Sequence, residues 1–142
     1  MPRRLLLIGG LLSAAIAALH VAVVFVGAPA YRYFGAGEGM ARLVESGSLI
    51  PPVVTLAIAL VFAVWALYGF SGAGLIRRLP LLEAGLLTIG VIYFVRGLLV
   101  IPEAMVLLQS GRSLLHKVVV FSLVSLACGI LYLAGAIARR SG

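Results

Sequence analysis

Arg96 lies inside an apolar run, Leu79 to Glu103, that reads LPLLEAGLLTIGVIYFVRGLLVIPE. Taking its charge out of water costs ~2.5 kcal/mol or more on insertion scales, so an ionisable residue held there is a candidate functional group. A guanidinium is a planar fork of N–H donors that matches a carboxylate or phosphate at two points. The chemistry it points to is recognition of a small anionic or amphipathic molecule. Further polar groups surround it in the sequence. His20 sits in the first apolar run, Tyr93 lies three residues before Arg96, and Glu103 follows seven residues after it. Tyr31, Arg32 and Glu38 belong to a polar, aromatic segment after the first run. Together Arg96, His20, Tyr31, Arg32, Glu38, Tyr93 and Glu103 form the candidate ligand-binding set.

Each of these residues also has a plainer reading. Arg96 stands five residues before Ile101, ~8 Å along a helix, and can extend its charge to the headgroups. It can equally form a structural pair with Glu103, two turns along the same face, or with Glu38. His20 shares a face with Ser13, Ala17, Val24 and Gly27, which turns it toward neighbouring helices and a hydrogen bond there. His116 and Lys117 read as interfacial groups, and Arg112 as a loop residue. Trp65, Tyr68 and Gly72 fit a packing stripe as well as a wall for a lipid or quinone tail.

Several chemistries lack their residues. The chain has no Gly-rich phosphate loop and no Cys/His metal pattern. It has no G-x-S-x-G elbow and no paired intramembrane carboxylates, and aspartate is absent. His20 and His116 could share a haem or metal only by meeting from different depths. No metal and no cofactor is implied, and the reading leans away from an enzyme. Cys128 reads as an apolar filler, with no electropositive neighbour to activate it.

The elements that must position these residues are apolar helices. Of 142 residues, 63% are hydrophobic and 11% charged, a composition that a soluble domain of this size cannot bury. The net charge of +7 is spread in pairs at the ends of apolar runs, which argues against nucleic acid as a partner. The first run, 5–26, exceeds the apolar core of a signal peptide and matches the ~20 residues that span a bilayer. It is expected to remain as transmembrane helix 1. A loop over 27–50 follows, with Tyr31, Tyr33 and Phe34 where an interfacial aromatic belt sits and a short surface helix near Met40–Val44. Pro51 and Pro52 open helix 2, over 53–76, and a very short connection through Arg77, Arg78 and Pro80 leads to helix 3, over 79–101. A second loop over 103–113 precedes helix 4, over 114–138.

Packing faces with many small residues recur at helical spacing on these runs: Thr55, Ala59, Phe62, Ala66, Gly69 and Ala73; Glu83, Leu86, Gly90, Tyr93 and Gly97; and Val118, Ser122, Ser125, Gly129, Tyr132 and Ala136. Such stripes allow close helix approach. Six of the eleven basic residues form three pairs, Arg3/Arg4, Arg77/Arg78 and Arg139/Arg140. Four spans put all three pairs on one side, and the positive-inside rule makes that side cytoplasmic.

The sequence therefore predicts an all-α membrane protein: a four-helix transmembrane bundle in a single domain, with N and C termini cytoplasmic. Composition suits a multi-pass protein of a bacterial inner (plasma) membrane. Its expected partners are the lipid bilayer, a small anionic or amphipathic ligand, and further copies of itself or another membrane protein. The first functional expectation is an outward-facing pocket around Arg96 that binds or helps transport that ligand. The alternatives are a non-catalytic accessory subunit of a larger membrane complex, and a membrane enzyme acting on a lipid or quinone through His20 or Glu103.

Overall fold

The computed structural model describes residues 1–110 and 113–140, and the side chains of all of these except residues 107, 110 and 113–116. Arg112 and the side chain of His116 lie outside the described residues. Among the described residues the chain is helical without strands: α1 (Pro2–Val26), α2 (Ala28–Tyr33), α3 (Glu38–Glu45), α4 (Ile50–Gly72), α5 (Leu82–Leu98), α6 (Val100–Ser110) and α7 (Ser113–Arg140). Four stretches are long and apolar enough to cross a membrane: Pro2–Val26, Ile50–Gly72, Leu82–Val106 and Lys117–Arg140. At 1.5 Å per residue, the 23 residues of α4 extend ~35 Å, enough for a ~30 Å hydrocarbon core. By length and composition the chain is a multi-pass membrane protein.

The boundaries depart from the sequence reading in three places. The segment 27–50 is mostly helical, in α2 and α3. Helix 2, expected over 53–76, runs from Ile50 to Gly72. Pro51 and Pro52 lie inside its first turn, where no N–H is needed. It stops early because Gly74 adopts φ 76°, while Leu75 N–H reaches back to Phe70 O and Gly74 N–H to Ser71 O. That is a Schellman closure, which favours glycine at the left-handed position. The connection to α5 is consequently nine residues, 73–81, rather than very short. It is tied down by Ser71, whose Oγ donates to Arg77 O and accepts from Leu79 N–H.

The third departure is the expected loop 103–113. Glu103 to Ser110 is helix α6, continuing the α5 direction after a break at Leu99. Pro102 does not end the helix. It occupies the first turn of α6, and the residues after it, EAMVLLQS, are mostly strong helix formers.

The chain divides into two compact units, residues 1–12 with 65–142, and residues 13–64. In the first, segments of all four long helices pack together. Leu86, Gly90, Tyr93 and Gly97 of α5 are buried, as are Ser122, Gly129, Tyr132 and Ala136 of α7. The two helices approach so closely that a Cβ on Gly97 would lie 2.5 Å from Leu126 Cα, and one on Gly129 2.7 Å from Phe94 Cα. At the centre Tyr132 donates its hydroxyl to Trp65 O at 2.7 Å. Its ring stacks on Tyr93 with centroids 6.0 Å apart, and Tyr93 meets Trp65 edge-on at 4.8 Å.

In the second unit Val23, Ala28, Ala30, Tyr31 and Ala41 form a small core, with Phe34, Met40 and Val44 packed on it. Tyr31, only 2% exposed, shares a 2.9 Å hydrogen bond with Thr55 Oγ1. Thus α2 folds back on the start of α4, and the apolar side of α3 covers the same core.

Candidate functional site

Arg96 lies in the last turn of α5, Glu103 in the first turn of α6, and Ser122 on α7. These three meet. Arg96 Nη1 donates to Ser122 Oγ at 2.7 Å and stands 3.5 Å from Glu103 Oε1. The Ser122 hydroxyl in turn donates to Glu103 Oε2 in a short hydrogen bond. The serine, fully buried, thus accepts from the arginine and donates to the carboxylate, closing a three-membered ring of polar contacts. Glu103 is 18% exposed and Arg96 43% exposed.

The register explains how they meet. Gly97 faces Leu126 and Gly90 faces Leu133, so α5 and α7 run antiparallel. Ser122 is one turn nearer the start of α7 than Leu126. Arg96 therefore extends toward the C-terminal end of α5, against the usual tilt of helical side chains toward the N-terminus. Since Leu82–Val106 is one apolar span, Arg96 lies ten residues, ~15 Å, before its end, deeper than the ~8 Å expected from a helix ending at Ile101. The Arg96 Nε and Nη2 donors have no hydrogen-bond partner among the described residues.

The other expected site residues fall into separate groups. Tyr93 belongs to the Trp65–Tyr93–Tyr132 ring cluster. In the second unit Tyr31 is taken by Thr55. His20 Nδ1 donates to Ile16 O of its own helix at 2.8 Å, and its ring lies 5.2 Å from that of Phe62. Its hydrogen bond is therefore within α1, not to a neighbouring helix. Arg32 spends its whole fork inside the second unit. Nε and Nη2 reach Glu38 at 2.9 and 3.0 Å, and Nη1 and Nη2 reach Glu45 at 2.7 and 3.0 Å. Arg42 Nε adds a 3.3 Å contact to Glu38. Hydrogen bonds from Arg32 and then Arg42 lower the Glu38 pKa to about 2. The Arg32 bond also holds Glu45 below its ordinary value, and the two carboxylates raise Arg32.

Glu45 and Thr55 were not among the expected site residues. Glu45 carried one signal, its seven-residue spacing from Glu38, which puts both carboxylates on one face of α3. Ser122 was legible only as the polar member of a small-residue stripe. Among the described residues, no three His, Cys, Asp or Glu side chains gather as metal ligands would.

The features that define the class are four membrane-length apolar helices and an ion pair set within one of them. No protein-family model, no curated protein and no solved structure matches the chain.

Proposed function

We propose that the chain is a small membrane protein whose Arg96 binds the anionic head of an amphipathic molecule, a carboxylate or phosphate carrying an apolar tail. The observation that carries this reading is the Arg96 guanidinium, its side chain 43% exposed and its Nε–Nη2 edge without a hydrogen-bond partner among the described residues. That edge offers the two-point geometry an oxyanion takes, while Nη1 is fixed by Ser122 and Glu103. Ile92, Val95 and Leu99, on adjoining positions of the helix, are exposed and would receive the tail. With the three arginine pairs on the cytoplasmic side, the Glu103 end of the span faces outward. Arg32 and Glu38 play no part in binding here, because each satisfies the other.

A second reading, an accessory subunit in which the polar ring only fastens α5 and α6 to α7, is favoured by the Arg96–Glu103 pair itself. The two separate on one experiment: oleate binding to the purified protein in neutral detergent, followed by native mass spectrometry. Arg96→Ala should weaken oleate retention by about 10- to 100-fold, the value of a charge-assisted two-point contact. Arg96→Lys should fall between, keeping the charge without the fork. Glu103→Gln should bind oleate more tightly, because it removes a competing carboxylate. Equal oleate retention by all four proteins, with a lowered melting temperature in the variants, would establish the accessory reading instead.

A further inference from the structure

The opposite end of the first unit holds a second polar assembly, in which positive charge is in excess. Arg139 Nη1 donates to Gly72 O at 2.9 Å, capping α4, and its Nε reaches Glu83 Oε1 at 3.2 Å. Glu83 Oε2 is buried without a hydrogen bond, and Arg140 Nε is 3.8 Å from it. The Arg3 guanidinium lies beside Gly74, with Nη2 3.2 Å from where a Cβ would stand. Arg77 and Arg78 follow in the same connection. Residues 72–83 thus carry Arg77 and Arg78 and are met by Arg3, Arg139 and Arg140, with Glu83 as the carboxylate among them. Arg139 and Arg140 are the two that share Glu83. Arg3, Arg4, Arg77 and Arg78 are exposed and have no side-chain partner among the described residues.

The same connection exposes apolar side chains. Leu75, Ile76 and Leu81 are 62%, 39% and 82% exposed. Leu81 is also the only non-glycine residue with positive φ among the described residues, at 50°. A leucine gains nothing locally from that left-handed backbone, which favours glycine or asparagine. It serves no packing role either, since the side chain is bare. Exposed apolar side chains on both sides of two unpaired arginines fit the boundary between lipid headgroups and acyl chains.

We propose that the connection 73–81 is a lipid-recognition element for an anionic phospholipid leaflet. Leu75, Ile76 and Leu81 enter the acyl region, and Arg77, Arg78, Arg3 and Arg4 contact headgroup phosphates. Charge complementarity selects this occupant: four unpaired guanidinium groups need an anionic surface, and Leu75, Ile76 and Leu81, which flank Arg77 and Arg78, need an apolar one. The proposal does not rest on Arg96, which lies at the other end of α5.

The test uses the full chain in neutral detergent, with dioleoylphosphatidylglycerol or dioleoylphosphatidylcholine added and bound lipid counted by native mass spectrometry. The anionic lipid should be retained preferentially. Arg77→Gln with Arg78→Gln should cut that preference roughly 30-fold, the combined effect of two cations at a lipid surface, without lowering the melting temperature. Leu81→Asn keeps a residue that tolerates the left-handed backbone, so it should leave the fold at least as stable while reducing retention of both lipids. Equal retention of the two lipids by the native chain would overturn the proposal, as would an unchanged preference in the double variant. Displacement of phosphatidylglycerol by excess inorganic phosphate would also overturn it, by showing a site for the free anion.

Discussion

A hydroxyl on α7 joins Arg96 to Glu103. Their direct contact is loose, at 3.5 Å, whereas each has a close hydrogen bond to Ser122. Ser122→Ala should therefore weaken the association of α5 and α6 with α7 by about 1 kcal/mol, within the range of polar contacts between membrane helices. Thermal unfolding in detergent would read this as a lowered midpoint, and Ser122→Thr, which keeps the hydroxyl, should recover most of it. Tyr132→Phe isolates a different bond. It removes the hydroxyl from Trp65 O but keeps the ring against Tyr93. A loss of about 1 kcal/mol is expected, with the aromatic packing retained. Arg96 stood out in the sequence because taking a charge inside an apolar run out of water is costly. Glu103 followed from helical spacing. Ser122 did not, since a serine in a stripe of small residues looks the same whether it bonds its own backbone, as Ser125 does to Phe121 O, or an arginine on another helix.

Among the elements, α2 and α3 show most directly how local chemistry sets a shape. A six-residue helix is too short to persist alone. It is held by Tyr31 in the small core and by the Arg32 fork, which grips carboxylates at both ends of α3. Because the Glu38 pKa is lowered to about 2 in the folded chain, the clasp stabilises fully above the ordinary carboxylate range near 4.5. Its contribution declines as pH falls below that range and is lost as pH passes through about 2. Hydrogen-exchange protection factors of residues 27–50, corrected for the intrinsic pH dependence of exchange, should be unchanged from pH 8 to pH 5 and fall only in strong acid. Arg32→Gln should expose the segment at neutral pH. The sequence showed a polar interruption with an aromatic belt here but not its helices, because Gly35, Gly37 and Gly39 read as breakers. Two of them, Gly35 and Gly37, do lie between helices, while Gly39 is inside α3. The expected end of helix 3 at Ile101, just before Pro102, misled for a related reason. Proline stops a helix that precedes it and starts one that follows, and only the residues after it distinguish the two.

At the scale of the whole chain, hydropathy and the small-residue stripes were legible because each follows from one residue's type and its spacing. The four apolar helices stand where the apolar runs were. Most stripe positions on α4, α5 and α7 are buried, although no membrane enters into that packing. What pairs across helices was not legible, because it depends on register. The register is fixed by glycines such as Gly97, so Gly97→Ala should force α5 away from Leu126 and cost about 1–3 kcal/mol, as overpacking does. The direction in which the chain crosses a bilayer rests on a different physical quantity, the distribution of charge. A helix that crosses a bilayer without interruption puts its two ends on opposite sides, and α4 has the length and composition of such a helix. Residues 73–81 at one end carry unpaired arginines, whereas the α2–α3 segment at the other neutralises Arg32 with Glu38 and Glu45. The positive-inside rule weighs exposed Lys and Arg close to the spans. Residues 73–81 should therefore be cytoplasmic and residues 27–49 external. The one native cysteine, Cys128, is buried and gives little background to a thiol reagent. With Ala36→Cys, a membrane-impermeant maleimide added to intact cells should label the protein. With Arg78→Cys, it should label only after the membrane is opened. Labelling in the reverse pattern would place the arginine pairs outside and remove the basis for an outward-facing Arg96.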